Sequence, residues 1–211
     1  MGKGKLLVLE GAKGYPGESC LRSISELISK NHPGEEYLFL KEPYLSNNED
    51  KKKFDEIIAF MRENPYKSGE RCLKYFTENR KKHNDFISSK LNAGENIILD
   101  RYWHSNFAFQ GTQGIPLEEI ARLNEGLQFP DLTLIFENSQ MNNRRYSKDN
   151  FSREGNWGLE LSFMEKVEAR YRSLGFILRQ LIKDYSVKYI VADRGEECLR
   201  EQMEPLIKRI L

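Results

Sequence analysis

The most constraining feature of this chain is a short apolar run near the N-terminus that is followed by glycines and then by a helical pattern. The apolar run covers residues 6–9, and its length and composition are typical of a buried strand. Gly11, Gly14 and Gly17 come next, and apolar residues then recur at helical spacing from Leu21. Glycines in this position let backbone amides approach an anion where the helix dipole favours negative charge. The order therefore predicts an α/β fold with a phosphate-binding loop after the first strand.

The glycine-rich loop departs from the usual phosphate-binding pattern at its most important charge. That pattern is glycine, four residues, glycine, lysine and then serine or threonine, but here Glu18 occupies the lysine position before Ser19. The loop is also one residue longer, and Pro16 lacks the amide that could donate to a phosphate. Removing one preorganised transition-state stabiliser costs on the order of 10² to 10³ in rate. The reversed charge therefore predicts impaired ATP turnover, unless another cation such as Lys13 compensates.

Composition limits the kind of protein this chain can be. The 211 residues are 39% hydrophobic and 31% charged, which is ordinary for one globular domain over residues 1–211. A net charge of +1 provides no global field for steering nucleic acid, so a nucleic-acid partner is not predicted. Three widely separated cysteines favour a reducing, cytoplasmic setting. No apolar run approaches the roughly 18 residues of a membrane span, so no membrane partner is predicted either.

Five short apolar runs alternate with longer helical patterns along the chain. Such runs are typical of strands buried on both faces, and the alternation predicts a three-layer α/β/α domain with a five-stranded parallel sheet. The predicted strands are residues 6–9, 37–40, 97–99, 132–136 and 189–192. The predicted helices are residues 19–30, 51–63, 68–92, 117–127, 159–184 and 195–210. Residues 138–158 are polar with little apolar periodicity, which indicates a loop within the domain.

Charged residues follow each strand after the first. In a parallel sheet of this type, ligands bind beyond the carboxyl ends of the strands. The charged segments at those ends are residues 41–43, 100–102, Glu137 and residues 193–194. Carboxylates suit Mg²⁺ and arginines suit phosphate, so this edge of the sheet predicts a site for a magnesium nucleotide.

Residues 100–111 carry the most specific sequence pattern. They read Asp-Arg-Tyr-Trp-His-Ser-Asn-Phe-Ala-Phe-Gln-Gly, which resembles the Asp-Arg-Tyr, Ser, Ala-Tyr-Gln-Gly signature of thymidylate kinases, a family of P-loop nucleoside monophosphate kinases. Phe76 and Arg80 are similar to the family's Phe-x-x-x-Arg, and residues 41–43 are similar to its Arg-Glu-Pro. Phe163, Val167 and Tyr171 also fall in the family's order. The likeness runs from about residue 5 to about residue 208.

The resemblance assigns roles on the side of the phosphoryl acceptor. It implies that Arg101 clamps the acceptor phosphate and that Asp100 orients Mg²⁺ through water. Phe76 and Arg80 are four residues apart on a predicted helix and share a face. On spacing alone they read as a core edge and a surface cation, whereas the resemblance implies that they stack on thymine and hydrogen-bond its edge. The other implied substrate-binding residues are Glu42, Pro43, Tyr102, Ser105 and Gln110.

The resemblance also assigns roles on the ATP side. It implies a phosphate-binding loop of Gly11, Gly14, Gly17, Glu18 and Ser19, and a magnesium ion held by Ser19 and Asp100. Residues 138–158 stand where the family has its lid, and they contain Arg144, Arg145 and Arg153. Arg145, Arg153 and Lys13 are the predicted catalytic cations of this side. The alternative interpretation is a solvated loop whose arginines have no specific role.

The resemblance implies a cytoplasmic, homodimeric kinase that moves the ATP γ-phosphoryl group to dTMP with Mg²⁺ and gives dTDP. The altered loop leaves three interpretations open. The chain is an active kinase in which another cation replaces the lysine, a catalytically degraded or repurposed nucleotide-binding protein, or a scaffold that keeps only the fold.

Overall fold

A parallel sheet organises the described part of the chain. The computed structural model of the chain describes residues 2–12, 17–137, 159–182, 185–192 and 194–210. Within these residues five parallel strands pair in the order β2-β3-β1-β4-β5. The strands are β1 Leu6–Gly11, β2 Tyr37–Lys41, β3 Asn96–Asp100, β4 Leu132–Glu137 and β5 Val187–Val191. The predicted five-stranded parallel α/β architecture is confirmed.

Seven helices connect and flank these strands in the described residues. They are α1 Glu18–Asn31, α2 Asn48–Glu63, α3 Gly69–Asn92, α4 His104–Thr112, α5 Leu117–Leu123, α6 Leu161–Leu181 and α7 Glu196–Ile210. The sequence pattern predicts all of them except α4. Seven of the nine residues of α4 are buried, polar ones included, so the helix lacks a solvent-exposed face and shows no amphipathic period. None of these helices is both long and apolar enough to cross a bilayer.

The central strand β1 shows why the sheet is covered on both faces. All six of its residues are buried, and side chains alternate between the two faces of a strand. Leu6 and Val8 belong to the core formed with α3, α4 and α6. Leu7 and Leu9 belong to the core formed with α1 and α7. The same alternation turns Glu10 toward the layer that contains α4 and α6.

Strand register brings the predicted functional segments together. Asp100 pairs with Leu9 of β1 and with Lys41 of β2. The amide of Arg101 donates to the carbonyl of Leu9 at 2.8 Å, and the amide of Glu42 donates to the carbonyl of Asp100 at 2.9 Å. The carboxyl ends of β1, β2 and β3 therefore lie side by side, and the residues that follow them meet at one edge.

Candidate active site

A cleft opens beyond the carboxyl ends of β2 and β3, between α2, α3 and α4. It encloses about 360 Å³ when counted to its open mouth. Seven of the eight residues predicted to bind substrate line it. These seven are Glu42, Pro43, Phe76, Arg80, Arg101, Ser105 and Gln110, and Met61, Asn106 and Phe109 complete the lining. The lining residues run from Glu42 to Gln110, up to 68 positions apart along the chain, and together they form one concave surface.

Tyr102 is the predicted substrate-binding residue that does not line the cleft. Its side chain is fully buried in the core, and the Arg80 guanidinium carbon lies 5.8 Å from the centre of its ring. Its amide donates to Glu10 at 2.7 Å. Tyr102 therefore supports the wall behind Arg80 rather than presenting its ring to a ligand.

Arg101 lies at the mouth of the cleft in a restrained conformation. Its φ of 67° is the only positive value at a non-glycine position among the described residues. Such values are uncommon outside glycine and cluster at functional sites. Its Nη1 donates to the Gly11 carbonyl at 2.8 Å and to the Tyr171 hydroxyl at 3.2 Å. The guanidinium is thus held by the fold while its side chain still lines the cleft.

Arg80 is held by two asparagines that have no assigned role in the sequence patterns. Its Nη1 donates to the Oδ1 atoms of Asn106 and Asn124. Asn106 donates in turn to Gln110 at 2.8 Å. One turn before Arg80 on α3, Phe76 lies at the same cleft wall. Asn106 could have been identified from the sequence because it lies inside the signature of residues 100–111. Nothing in the local sequence marks Asn124.

Glu42 and Arg80 leave hydrogen-bonding capacity inside the cleft. Both side chains are only 3% exposed, and their Oε2 and Nε atoms lie 3.9 Å apart. Glu42 Oε1 bonds to His83 Nδ1 at 2.8 Å, but Glu42 Oε2 and Arg80 Nε are buried and have no hydrogen-bond partner among the described residues. Buried polar atoms in native proteins are nearly always satisfied. A polar ligand in the cleft would satisfy these two.

Asp100 fits the predicted magnesium role. Its Oδ2 lies 3.3 Å from Lys41 Nζ, and its Oδ1 is buried with no hydrogen-bond partner in the part of the chain that the structure describes. Burial raises the pKa of Asp100, and the charges of Arg101 and Lys41 act against that rise. No group of three metal-ligating side chains occurs within the described residues. A single carboxylate suits Mg²⁺, which keeps several waters and binds through one or two carboxylates plus phosphate oxygens.

The donor side is described only in part. Gly11 ends β1, Gly17 is the N-cap of α1, and Glu18 is the first residue of that helix with its side chain exposed. Ser19 follows in the first turn of α1. Lys13, Gly14, Pro16, Arg144, Arg145, Arg153 and Asp193 lie outside the described residues.

Glu10 is a central residue that the sequence patterns do not assign. It is fully buried, and its carboxylate accepts hydrogen bonds from the Tyr102 amide, the Ser105 hydroxyl and the Tyr171 hydroxyl at 2.7 to 2.8 Å. Burial alone would raise the pKa of Glu10, but the neighbouring His104, the charge of Arg101 and the hydrogen bond from Tyr171 together lower it below the ordinary value. The sequence feature that could have identified Glu10 is an acidic residue at the end of an otherwise apolar strand.

These features define an α/β protein with a cleft at the carboxyl edge of a parallel sheet, lined by charged, polar and apolar side chains. A thymidylate kinase family model matches residues 21–203. The chain belongs to the thymidylate kinase family. The match begins beyond the glycine-rich loop, so the region of greatest departure is not part of it.

Individual relatives agree with this placement. The thymidylate kinase of Caldanaerobacter subterraneus is 28% identical over 204 residues, which cover 93% of this chain and 90% of that protein. The thymidylate kinase of Arabidopsis thaliana is 25% identical over 93% of this chain and 74% of its own length. The thymidylate kinase of Desulfotalea psychrophila is 32% identical, but the alignment spans only 49% of this chain and 52% of that protein. The solved thymidylate kinase of Candida albicans has the same fold, with a TM-score of 0.64 and 21% identity over 98% of this chain and 92% of that one.

Proposed function

We propose that this protein transfers the γ-phosphoryl group of ATP to dTMP and gives dTDP and ADP. The observation that carries the proposal is the convergence of seven predicted acceptor residues on one cleft. The chain's family supports the reaction class, and the curated relatives in that family are named thymidylate kinases. We also expect a homodimeric, cytoplasmic enzyme on the basis of the family resemblance.

The acceptor side has the parts that this transfer needs. Phosphoryl transfer depends mainly on positioning and on positive charge over the oxygens of the moving group. Phe76 provides an aromatic surface for the base, and Arg80 provides donors for its edge. Glu42 Oε2 and Arg80 Nε supply the hydrogen-bonding capacity left in the cleft. Arg101, at the mouth, provides the positive charge for the phosphate of dTMP.

The ATP side is assigned to the loop and to the segment that stands where the family has its lid. The first amides of α1 have no partner inside the helix and can donate to phosphate. Asp100 and Ser19 would hold Mg²⁺, which when bound would neutralise charge on the phosphates. Lys13, Arg145 and Arg153 are the proposed sources of the positive charge that the loop lysine supplies elsewhere in the family.

The alternative is a protein that binds dTMP but turns over ATP poorly or not at all. Glu18 is the observation that favours it, because an exposed carboxylate at the start of α1 places negative charge where phosphate would bind. The carboxylate is compatible with the helix, since negative charge is favourable in the first helical turn. The fold therefore tolerates Glu18 in a protein whose donor site has lost its function.

Calorimetric titration with dTMP and, separately, with MgATP distinguishes these functions. Binding of both nucleotides, together with dTDP formation in a coupled assay, is the expected result. Binding of dTMP alone indicates the degraded binder. Binding of neither nucleotide contradicts both and leaves a scaffold that keeps only the fold.

A further inference from the structure

A buried hydrogen-bond network connects the end of β1 to the cleft. Glu10 Oε1 accepts from the Tyr102 amide, while Oε2 accepts from the hydroxyls of Ser105 and Tyr171. A buried carboxylate is costly unless it is hydrogen-bonded or paired. Here three elements supply donors, namely the turn after β3, α4 and α6. Glu10 thus fixes these three elements relative to one another.

The Tyr171 hydroxyl is the link between this carboxylate and Arg101. It has one proton, which it donates to Glu10 at 2.8 Å. Its oxygen therefore accepts from Arg101 Nη1 at 3.2 Å. Hydrogen bonds in a chain polarise one another, so a hydroxyl that donates to a carboxylate becomes a better acceptor for a cation. The same hydroxyl lies 3.1 Å from Ser105 Oγ, so Glu10, Ser105, Tyr171 and Arg101 form one connected network.

The backbone and side-chain geometry of Arg101 shows how the network holds its guanidinium. Its backbone has a positive φ, and its side chain stands at the mouth of the cleft. The two protons of Nη1 go to Tyr171 and to the carbonyl of Gly11, the residue directly after Glu10. Because a guanidinium is planar, two directed bonds on one nitrogen set the orientation of the whole group.

We propose that Glu10 and Tyr171 are positioning residues that set the plane of the Arg101 guanidinium for the acceptor phosphate. The inference rests on the proposed function, because it takes Arg101 to be the group that binds the phosphate of dTMP. Neither Glu10 nor Tyr171 is among the residues that line the cleft. Both residues also contact the Ser105 hydroxyl, which lines the cleft. The proposed effect on binding is the one that passes through Arg101, and the test must separate it from any effect through Ser105.

The test is Tyr171→Phe, with Tyr185→Phe as the matched control. Both tyrosines are buried, and each hydroxyl is hydrogen-bonded within the protein. The Tyr185 hydroxyl bonds to Thr133 and His104 and does not contact Arg101. Tyr171→Phe should raise the dTMP dissociation constant about tenfold, because the bond it removes involves a charged group. Tyr185→Phe should change that constant by less than about twofold. Equal effects of the two substitutions would overturn the proposal.

A double-mutant cycle separates positioning from general destabilisation. Arg101→Ala alone should weaken dTMP binding at least tenfold. In the Arg101→Ala background, Tyr171→Phe should have no further effect, since the group that it positions is gone. A Tyr171→Phe effect that persists there contradicts the positioning role and leaves the proposed function intact. Unchanged dTMP affinity in Arg101→Ala overturns the assignment of Arg101, and both proposals fail with it.

Glu10→Gln provides a second approach to the same network. The substitution keeps the size of the side chain but replaces one acceptor oxygen with a donor that faces other donors. We expect it to weaken dTMP binding at least as much as Tyr171→Phe. If Glu10→Gln melts as the wild type does and binds dTMP as tightly, Glu10 has no positioning role.

Discussion

The proposed acceptor side, which lines the cleft, and the proposed donor side, at the start of α1, differ in how firmly the fold holds their charges. On the acceptor side, Arg80 and Glu42 are buried, and Arg101 is fixed by Gly11 and Tyr171. On the donor side, Glu18 is exposed at the start of α1. Its favourable interaction with the helix dipole is worth about 0.3–1 kcal/mol, so the fold places little demand on this position. The fold thus constrains the residues of the proposed acceptor side more tightly than it constrains Glu18.

The largest effect should come from removing the charge at the mouth of the cleft. We expect Arg101→Ala to lower kcat/KM for dTMP by on the order of 10² to 10³, the usual cost of losing one preorganised stabilising group. Steady-state kinetics and dTMP calorimetry measure it. Arg71→Ala is the control, because Arg71 is exposed on α3 with its guanidinium over Phe60 and does not line the cleft. A change in kcat/KM below threefold in Arg101→Ala would contradict the proposed acceptor side.

The second effect tests the donor side directly. We expect Glu18→Lys to raise kcat/KM for ATP by on the order of 10², because it replaces a repulsive charge with the lysine of the usual loop. Affinity for dTMP should stay within about twofold, since binding of the acceptor does not involve this position. The control is Glu36→Lys, which makes the same change of charge at another exposed site. Turnover that is already ordinary and does not rise would show that Glu18 is no impediment.

The sequence predicts most of the fold because its strands are apolar on both faces and its helices are amphipathic. The sequence does not predict α4, because that helix is buried on almost all sides and lacks the amphipathic pattern of the other helices. Most of the residues that line the cleft could be selected from the sequence because a local signature and the family resemblance mark them, whereas the spacing of Phe76 and Arg80 alone favours a core edge and a surface cation. The network behind Arg101 could not be selected in this way, because Glu10 and Tyr171 are 161 positions apart and only tertiary packing brings them into contact. Their pairing has no local pattern that one sequence could reveal.

A third, smaller effect concerns the base. Phe76 lines the cleft, and Phe76→Leu keeps most of its volume while removing the aromatic face. We expect the dTMP dissociation constant to rise about fivefold, in keeping with the ~1 kcal/mol that aromatic stacking contributes beyond area burial. Phe86→Leu is the control, because Phe86 is an exposed phenylalanine on the same helix. Similar affinities for the two variants would argue that the base does not stack on Phe76.

The smallest effect concerns stability and tests how firmly the acceptor side is organised at acid pH. His104 is fully buried, with Nδ1 3.6 Å from Glu10 and Nε2 bonded to Tyr185 and Thr133. Burial lowers the pKa of His104 below 6.5, although hydrogen bonding and charge from Glu10 act against this, and the charge of Arg80 lowers it further. The folded chain therefore stays unprotonated at His104 over a pH range in which the unfolded chain takes up a proton.

Stability should consequently fall as the pH drops below about 6.5, with a slope from His104 of up to ~1.4 kcal/mol per pH unit. Glu10 adds nothing to the slope in this window, because its lowered pKa makes its contribution full above 4.5 and lost only at lower pH. Urea unfolding at pH 7.5, 6.5 and 5.5 measures the dependence. His104→Gln should flatten the slope whatever it does to the absolute stability. Equal slopes in His104→Gln and the wild type would mean that the buried imidazole does not control the acid sensitivity of the acceptor side.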